Sequence, residues 1–307
     1  MKVAVIGAGH MGRYHAEKLA RCAGVEVCAV VDSDRSRAEA LAKVRNCSAL
    51  TDYREALGMA DAAVVSVPTD RHHEVALACL DRGLHVLVEK PIATTVEQAD
   101  QLIAAADKRG VVLQVGHVER YNKTFQALMT RMDRPVFVDA ERLSGFKQRG
   151  AEVDVVLDLM IHDLDLALAL ARAEVTGVSA CGFRVLTRDI DIANARIEFA
   201  NGCVANLSAS RVSQAPVRKL RVFQSDIYVS ADLQAGKLRY VRQSDGGIAE
   251  TDEHYEGGDA LAAQAEAFVG AVRGRQSVAL DGKEGRRALK LALDVGRLVR
   301  ERLSRFE

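Results

Sequence analysis

Hydrophobic residues in the first 120 positions occur in short continuous runs, separated by amphipathic stretches of helical period. Runs of this kind are typical of strands that are buried on both faces of a parallel sheet. The sequence predicts such strands at 2–6, 25–31, 62–67, 85–88 and 111–115. It predicts helices at 13–22 and 95–108, and one that begins near position 70. This alternation predicts a doubly wound parallel sheet, a Rossmann domain, over residues 1–120.

The pattern changes after residue 120, where a helix at 123–132 is followed by strands at short intervals. These strands are predicted at 135–142, 174–185, 192–199, 203–211, 218–224, 225–230 and 237–242. Asn201-Gly202, between two alternating runs, indicates a hairpin. The polar segment 243–258 is predicted to be a loop, and helices at 259–273 and 283–304 close the chain. This pattern therefore predicts, over residues 121–307, an α+β domain with a large, mostly antiparallel open sheet.

A further segment, residues 154–170, is apolar on most of its surface but also carries acidic residues and a histidine. At 100° per residue, Asp154, Asp158, His162 and Asp165 fall on one narrow face of a helix. A helix that is apolar nearly all round is normally buried, and buried carboxylates are costly unless they are paired or used. Two interpretations are open: a core helix whose polar side chains satisfy each other, and a helix that carries catalytic groups.

The composition is that of an ordinary globular protein, with 49% apolar and 27% charged residues. The 42 basic side chains are balanced by 42 acidic ones. A balanced charge gives no general attraction to nucleic acid or to an anionic membrane. The six cysteines show no metal-ligand spacing and are interpreted as reduced core thiols. Because no signal peptide or long apolar run is present, we expect a cytoplasmic protein. No metal site is expected, since Asp158 and His162 supply only two ligands.

The segment GAGHMG at 7–12 follows the first predicted strand and opens a helix, and Asp32 lies twenty positions after Gly12. This arrangement is the fingerprint of a dinucleotide site, in which the glycines permit a tight turn and a close approach to pyrophosphate. We expect Asp32 to bind the ribose hydroxyls and to favour NAD over NADP. Arg35 and Arg37 either soften that preference or belong to a solvated helix start. A glycine turn that binds no ligand is the alternative.

Three polar features, Thr69, Lys90 and Gly116, follow predicted strands of the parallel sheet. The ligands of such sheets bind beyond the carboxyl ends of the strands. Lys90 precedes a proline that stiffens the turn, so we expect its ammonium group to point into the cofactor crevice. There it suits proton transfer or stabilisation of an alkoxide. The alternative is a lysine that lies along the surface.

Four motifs together resemble the Gfo/Idh/MocA oxidoreductases, the group of glucose–fructose oxidoreductase and inositol dehydrogenase. They are GAGHMG at 7–12, PTDRH at 68–72, GLHVLVEKP at 83–91 and the pair Asp158-x-x-x-His162. The resemblance implies a Rossmann domain, a second domain with a large open sheet, and NAD(P)-dependent oxidation or reduction of a sugar carbon. It also implies that Lys90 and His162 flank the reacting hydroxyl. Some relatives have a tyrosine in place of the histidine.

A narrower likeness is to the UDP-N-acetylglucosamine 3-dehydrogenase branch, carried by VGHVERYN at 115–122, DLMIHDLD at 158–165 and ANLSASR at 205–211. That branch oxidises the 3-hydroxyl of a nucleotide sugar, so that an aminotransferase can install the 3-amino group of lipid A. Two alternatives are open: a dehydrogenase of a free cyclitol or monosaccharide, and a non-catalytic NAD-binding sensor. The family also implies a homodimer or homotetramer formed through the large sheet. A charged, hydrated face on that sheet would contradict such an assembly.

The resemblance and the patterns together give three sets of candidate residues. The catalytic set has His162 as the proton acceptor, Lys90 as the group that steadies the oxyanion, and Asp158 as the residue that orients the imidazole or holds a neighbouring hydroxyl. The NAD-binding set is Gly7, Gly9, His10, Met11, Gly12, Asp32, Ser66, Val67, Pro68, Thr69, His72, Glu89, Lys90 and Gln114. The substrate-binding set is Lys90, Arg120, Tyr121, Asn122, Lys147, Asp158, His162 and Arg211. Arg142 and Arg149 are further candidate cations for a diphosphate.

Overall fold

The computed structural model describes residues 1–146, 153–244, 246–256, 258–275, 277–278 and 280–305. The first elements are β1 (Lys2–Ile6), α1 (His10–Leu19), β2 (Glu26–Val31), α2 (Arg35–Arg45), β3 (Ser48–Leu50), α3 (Tyr53–Ala56), β4 (Ala62–Val65), α4 (His72–Asp81), β5 (His85–Glu89), α5 (Val96–Arg109) and β6 (Leu113–Gly116). They are followed by α6 (Lys123–Met129), β7 (Phe137–Leu143), α7 (Ile161–Ala171), β8 (Val175–Phe183), β9 (Ile192–Phe199), β10 (Val204–Ser210), β11 (Val217–Gln224), β12 (Ile227–Asp232), β13 (Lys237–Ser244), β14 (Gly247–His254), α8 (Ala260–Val272) and α9 (Gly282–Leu303).

The chain forms two compact units. The first contains Met1–Val118 and also Asp259–Leu289, and the second contains Glu119–Gly258 and the chain from Lys290 onward. The expected boundary at residue 120 therefore lies close to the observed one, but a continuous second domain over 121–307 does not match the second unit. The segment 259–289 belongs to the first unit because Phe268 and Val269 of α8 pack into the same core as Leu19 of α1. Local sequence patterns do not show that the chain comes back to the core of the first unit in this segment.

The first unit contains a six-stranded sheet in the order β3-β2-β1-β4-β5-β6, and every pair in it is parallel. Its central strands are buried on both faces, as their continuous apolar runs predict. The strand order reverses between β1 and β4, and such a switch point is where sheets of this kind bind ligands. The predicted doubly wound fold is confirmed. The short edge strand β3 was not predicted, because its three residues are partly or fully exposed.

The second unit contains an eight-stranded sheet in the order β14-β13-β12-β11-β7-β10-β9-β8. All neighbouring pairs are antiparallel except β7 and β10, which are parallel. Every second residue of β9 is buried, so one face of the sheet belongs to a core. Helices α6 and α7 pack against this sheet. The predicted open, mostly antiparallel sheet is confirmed.

The predicted loop at 243–258 is wrong over most of its length. In the structure β13 extends to Ser244, and β14 pairs with it in antiparallel register from Gly247 to His254. This edge strand is mostly exposed and polar, so it lacks the apolar face from which strands are recognised in a sequence. Main-chain hydrogen bonds and cross-strand pairs hold it, such as Arg239 with Asp252 at 2.6 and 2.7 Å.

The uncovered face of this sheet mixes aromatic and charged side chains. Phe137, Phe223 and Tyr228 lie side by side on β7, β11 and β12, with ring centroids 5.7 and 4.8 Å apart. The charged residues of this face are largely paired with one another, as Arg221 is with Asp139. The face is thus neither fully apolar nor dominated by charges of one sign. No helix in the described parts of the chain has the length and apolarity needed to cross a membrane.

Candidate active site

Two glycines of the loop between β1 and α1 are required by the packing of the loop itself. Gly7 has a φ of +102°, and a Cβ there would lie 2.5 Å from the carbonyl oxygen of Ser66. A Cβ on Gly12 would lie 1.7 Å from the carbonyl oxygen of Gly7. Ser66, which follows β4, also donates its hydroxyl to that carbonyl at 3.0 Å. These contacts bring the carboxyl ends of β1 and β4 together at the switch point.

Gly9 differs from its neighbours, because a Cβ at this position would meet nothing within 4 Å. Gly9 also precedes α1 directly and has no side chain with which to cap that helix. The first N–H groups of a helix have no acceptor within the helix itself. A helix N-terminus supplies both N–H groups and a favourable dipole for an anion. An open space above this backbone fits the pyrophosphate of a dinucleotide.

Asp32 lies at the end of β2, beside the glycine loop. Its Oδ2 accepts a hydrogen bond from the backbone N–H of Ala8 at 2.8 Å, and its Oδ1 accepts one from Asp34 at 2.9 Å. These bonds fix the carboxylate and leave other lone pairs for ribose hydroxyls, as predicted for a dinucleotide site. Arg35 and Arg37 are exposed and pair with Glu39 and Asp34. These contacts agree with the interpretation of both arginines as part of a solvated helix start.

His72 connects two loops at this edge of the sheet. Its imidazole is buried, with Nε2 2.9 Å from the carbonyl oxygen of Val67 and Nδ1 2.8 Å from that of Pro91. Burial lowers the pKa of His72, and the hydrogen bonds to these two carbonyl oxygens oppose that shift. Pro68 and Thr69 continue from Val67 into a short 3₁₀ turn. His72 thus holds the loop after β4 against the loop after β5.

Lys90 follows β5 directly, and its peptide bond to Pro91 is cis. The preceding residue, Glu89, is buried and accepts a hydrogen bond from the backbone N–H of Lys90 at 3.2 Å. Gly116 at the end of β6 makes room for it, since a Cβ there would lie 3.0 Å from the Glu89 carboxylate. Gln114 was expected to bind the cofactor, but its buried side chain donates to the carbonyl oxygen of Gln264 on α8 at 3.3 Å.

In the second unit, the predicted helix carrying His162 is confirmed, but its single polar face is wrong. A π-helical turn, Val156–Met160, precedes α7, and it is wider than an α-helical turn. Asp154 stands at its start and accepts hydrogen bonds from the N–H groups of Val156 and Leu157, both at 3.0 Å. Asp158 and His162 are half-buried. Turns of this type are frequent at functional sites.

The residue after His162 belongs to a buried ionic cluster. Arg142 of β7 donates to both oxygens of Asp163 at 2.8 Å and to Glu119 at 2.8 Å. Burial opposes the charge of Arg142, but attraction to the two carboxylates outweighs it and raises the pKa of the guanidinium. Both carboxylates and the guanidinium are less than a tenth exposed. Arg142 is therefore an internal cation of the fold rather than a ligand for a phosphate group.

The other predicted substrate residues of this unit also have partners within the protein. Arg120 donates to Asp165 at 2.9 Å, and Arg211 donates to the carbonyl oxygen of Val153. Lys147 and Arg149 lie outside the described residues.

Two further substrate candidates, Asn122 and Tyr121, also have structural roles within the protein. Asn122 caps α6 by accepting from Thr124 at 3.0 Å and donates to the carbonyl oxygen of Leu233 at 3.0 Å. Tyr121 is buried, and this burial raises the pKa of its hydroxyl to about 12.

Comparison with known proteins decides the family. Residues 1–117 match the oxidoreductase family model GFO_IDH_MocA, described as an NAD-binding Rossmann fold, and residues 125–228 match the GFO/IDH/MocA C-terminal domain. The chain is also 38% identical to UDP-N-acetylglucosamine 3-dehydrogenase of Acidithiobacillus ferrooxidans, over 96% of each chain. The chain belongs to the Gfo/Idh/MocA oxidoreductase family. It is an oxidoreductase whose cofactor is NAD, as the resemblance implied.

Two further comparisons bear on this Gfo/Idh/MocA protein. The solved structure of UDP-N-acetylglucosamine 3-dehydrogenase GnnA from Acidithiobacillus ferrooxidans has a TM-score of 0.94 to it, with 97% of each chain covered and 38% identity. An NAD-dependent scyllo-inositol 2-dehydrogenase from Bacillus subtilis is 30% identical over 69% of this chain and 68% of its own. The two-sheet fold is therefore that of the family.

The sequence analysis missed three buried residues that hold the candidate catalytic groups. They are His15, which contacts Glu89, and Glu119 and Asp163, which contact Arg142. A histidine three positions after Gly12, on the buried side of a helix that begins at the glycine loop, was a usable indication. Glu119 and Asp163 gave no comparable indication, because their partner lies on a strand that is distant in sequence.

We predict that the Gly9→Ala and Gly12→Ala variants fail for different reasons. Gly9→Ala has room for its methyl group in the free protein but obstructs the dinucleotide, so NAD should bind about tenfold more weakly, or worse, with little change in melting temperature. Gly12→Ala overlaps the backbone and should lower the free energy of unfolding by roughly 1–3 kcal/mol or more. Calorimetric NAD titration and thermal unfolding separate the two. Normal NAD affinity in Gly9→Ala would contradict the assigned site.

We predict that Arg142→Met destabilises the protein strongly, because it leaves the buried Asp163 carboxylate without its cation and leaves Glu119 with only the half-exposed Arg218 at 3.3 Å. Loss of one partner of a buried ionic cluster costs about 3–5 kcal/mol. Arg239→Met is the matched control, since Arg239 also forms a bidentate pair, with Asp252, but on the exposed surface. That variant should unfold almost as the wild type does. Urea unfolding of both variants checks this, and equal stabilities would show that the cluster contributes nothing.

Proposed function

We propose that this protein oxidises the 3-hydroxyl of UDP-N-acetylglucosamine to a ketone with NAD as the acceptor. The observation that carries the proposal is the full-length likeness to an enzyme named for this reaction, at 38% identity and a TM-score of 0.94. The ketone would serve an aminotransferase that makes the 3-amino sugar of lipid A. The same proposal places the enzyme in the cytoplasm, where its six free cysteines stay reduced.

In the proposed mechanism His162 accepts the proton of the sugar hydroxyl, and Lys90 steadies the negative charge that develops on the oxygen. Asp158 orients the imidazole or holds a neighbouring hydroxyl. Bound NAD, held along the glycine loop of residues 7–12, would supply the acceptor for the hydride of the carbon. The surroundings of both groups support these roles, because precise catalysis needs side chains on rigid elements. Lys90 follows a buried strand, and Asp163 and Asp165, which follow His162, are both held by arginines.

A second candidate is oxidation of a free cyclitol or monosaccharide. The 30% identity to an inositol dehydrogenase over two thirds of the chain favours it. The arginines favour it as well, since Arg120, Arg142 and Arg211 bind groups of the protein and a free cyclitol needs no diphosphate-binding cations. The two candidates share one catalytic chemistry and differ only in what holds the rest of the substrate.

A substrate comparison tests the proposal. NADH formation is followed with UDP-N-acetylglucosamine, with N-acetylglucosamine alone, and with inositols and simple hexoses, and NADP replaces NAD as the cofactor control. We expect turnover with the nucleotide sugar and NAD, and little with the unphosphorylated sugars. Faster turnover with an inositol than with the nucleotide sugar would overturn the assignment in favour of the second candidate.

Substitution of the two catalytic candidates tests their roles. We predict that His162→Ala and Lys90→Ala each lower kcat by a factor on the order of 10² or more, because each removes a positioned proton acceptor or charge. The controls are His254→Ala and Lys219→Ala, which change exposed residues of the second unit. Wild-type kcat in either of the first two variants would remove that residue from the mechanism. A matching loss in the controls would point to general damage.

We also propose that the protein forms a homodimer or homotetramer through the uncovered face of the eight-stranded sheet. The face carries the aromatic group of Phe137, Phe223 and Tyr228, and its charges are largely paired within the sheet, which lowers the cost of covering them. At its other end Phe183 and Ile192 are exposed. A stable assembly needs apolar contact of this kind at its centre.

The assembly is tested by the mass in solution. Phe223→Asp should yield monomers in light scattering, because a charge is then placed in the centre of the proposed contact. Val44→Asp, on an exposed apolar residue of α2, should leave the mass unchanged. A wild-type protein that is monomeric at high concentration would end the proposal.

A further inference from the structure

A buried hydrogen bond links α1 to the end of β5. His15 Nε2 lies 2.6 Å from Glu89 Oε1, and both side chains are among the most buried polar groups of the first unit, at 1% and 8% exposed. The two residues are 74 positions apart. Burial disfavours the charged carboxylate, yet the hydrogen bond from His15 and the positive charge of Lys90 lower the pKa of Glu89 below its usual value. Glu89 is therefore an ionised acceptor.

The contact also fixes the form of the imidazole. An ionised carboxylate only accepts, so His15 Nε2 carries the proton and donates. His15 Nδ1 is buried, and within the described residues it has no hydrogen-bond partner. A second proton on Nδ1 would leave a buried donor unsatisfied, which is more costly than an unused lone pair. The geometry thus directs the Nε2 proton of His15 at Glu89.

Glu89 passes this constraint to the next residue. Its second oxygen, Oε2, accepts the backbone N–H of Lys90 at 3.2 Å, so one carboxylate holds both α1 and the backbone of the lysine. The neighbouring strand leaves little spare room around the carboxylate, because a Cβ on Gly116 would lie 3.0 Å from it. Beyond Lys90, the carbonyl oxygen of Pro91 lies against the His72 ring at 2.8 Å. The backbone of Lys90 is therefore held on both sides.

We propose that His15 is a positioning residue for Lys90, acting through Glu89. The inference rests on the proposed function, in which Lys90 steadies the oxyanion. Helix α1 then has two tasks: its first turn lies at the open space over Gly9, and its second turn sets the position of the lysine that follows β5. Misplacement of a catalytic group by about 1 Å can cost as much as 10²-fold in rate, so a remote imidazole can matter to turnover.

The test compares four variants and reads kcat, KM, NADH affinity by fluorescence, and melting temperature. His15→Leu removes the donor and should lower kcat about tenfold to a hundredfold, with little change in the KM of the sugar substrate. His15→Gln keeps an N–H donor for Glu89 and should recover most of that loss. His85→Leu is the matched control, since His85 lies at the other end of β5 and accepts the N–H of Val112 at 3.0 Å. It should reduce stability but not kcat.

The fourth variant guards against a failure to fold. His15→Leu alone leaves a buried carboxylate without its donor, whereas His15→Leu combined with Glu89→Met removes the charge as well, a replacement that proteins tolerate. This double variant should fold and still turn over slowly. Wild-type kcat in a folded double variant, or in His15→Leu, would overturn the inference. An equal fall of kcat in His15→Gln and His15→Leu would do the same.

A spectroscopic measurement separates this inference from the proposed function. The lysines are labelled by reductive methylation with ¹³C, and the Lys90 resonance is identified by its loss in Lys90→Arg. We expect that resonance to move in His15→Leu and to stay in place in His85→Leu, without cofactor or substrate. If Lys90 is not catalytic, Lys90→Ala keeps its turnover although the resonance moves. If His15 does not position Lys90, the resonance stays in place although Lys90→Ala is inactive.

Discussion

Buried charges are tolerated only beside partners of opposite charge or beside hydrogen-bond donors, and this constraint shapes the surroundings of both candidate catalytic residues. In the first unit the Glu89 carboxylate lies between the His15 imidazole and the N–H of Lys90. In the second unit, Arg142 holds the carboxylate of Asp163, the residue that follows His162 in the sequence. Each candidate catalytic residue therefore follows or precedes a carboxylate that cannot move without leaving an unpaired charge in the interior.

The same loop that receives the cofactor joins the strands of the first sheet. Gly7 and Gly12 are required where β1, α1 and Ser66 meet, whereas Gly9 leaves its space to a ligand. Because α1 begins directly after Gly9 and carries His15, one helix connects the glycine loop with the Glu89 contact. The glycines of the motif are thus required for packing at Gly7 and Gly12, whereas Gly9 borders open space.

Arginine shows how residue type can mislead when partners are unknown. The sequence analysis named several arginines as candidate ligands for a diphosphate, because a guanidinium binds phosphate oxygens bidentately. Three of them are Arg120, Arg142 and Arg211. The same geometry suits carboxylates and carbonyl groups of the protein, and the fold supplies these for all three. Family membership rests on the whole chain and is unaffected.

The sequence determined what depends on local order: the buried strands of the Rossmann sheet, the glycine loop with Asp32, Lys90 after its strand, and the helix of His162. Tertiary structure alone decided what depends on distant partners. It added the edge strand β14, which has no apolar face of its own, and returned α8 to the first core. It also paired His15 with Glu89 across 74 positions. Periodicity records which face of an element is buried, but not which side chain lies opposite it.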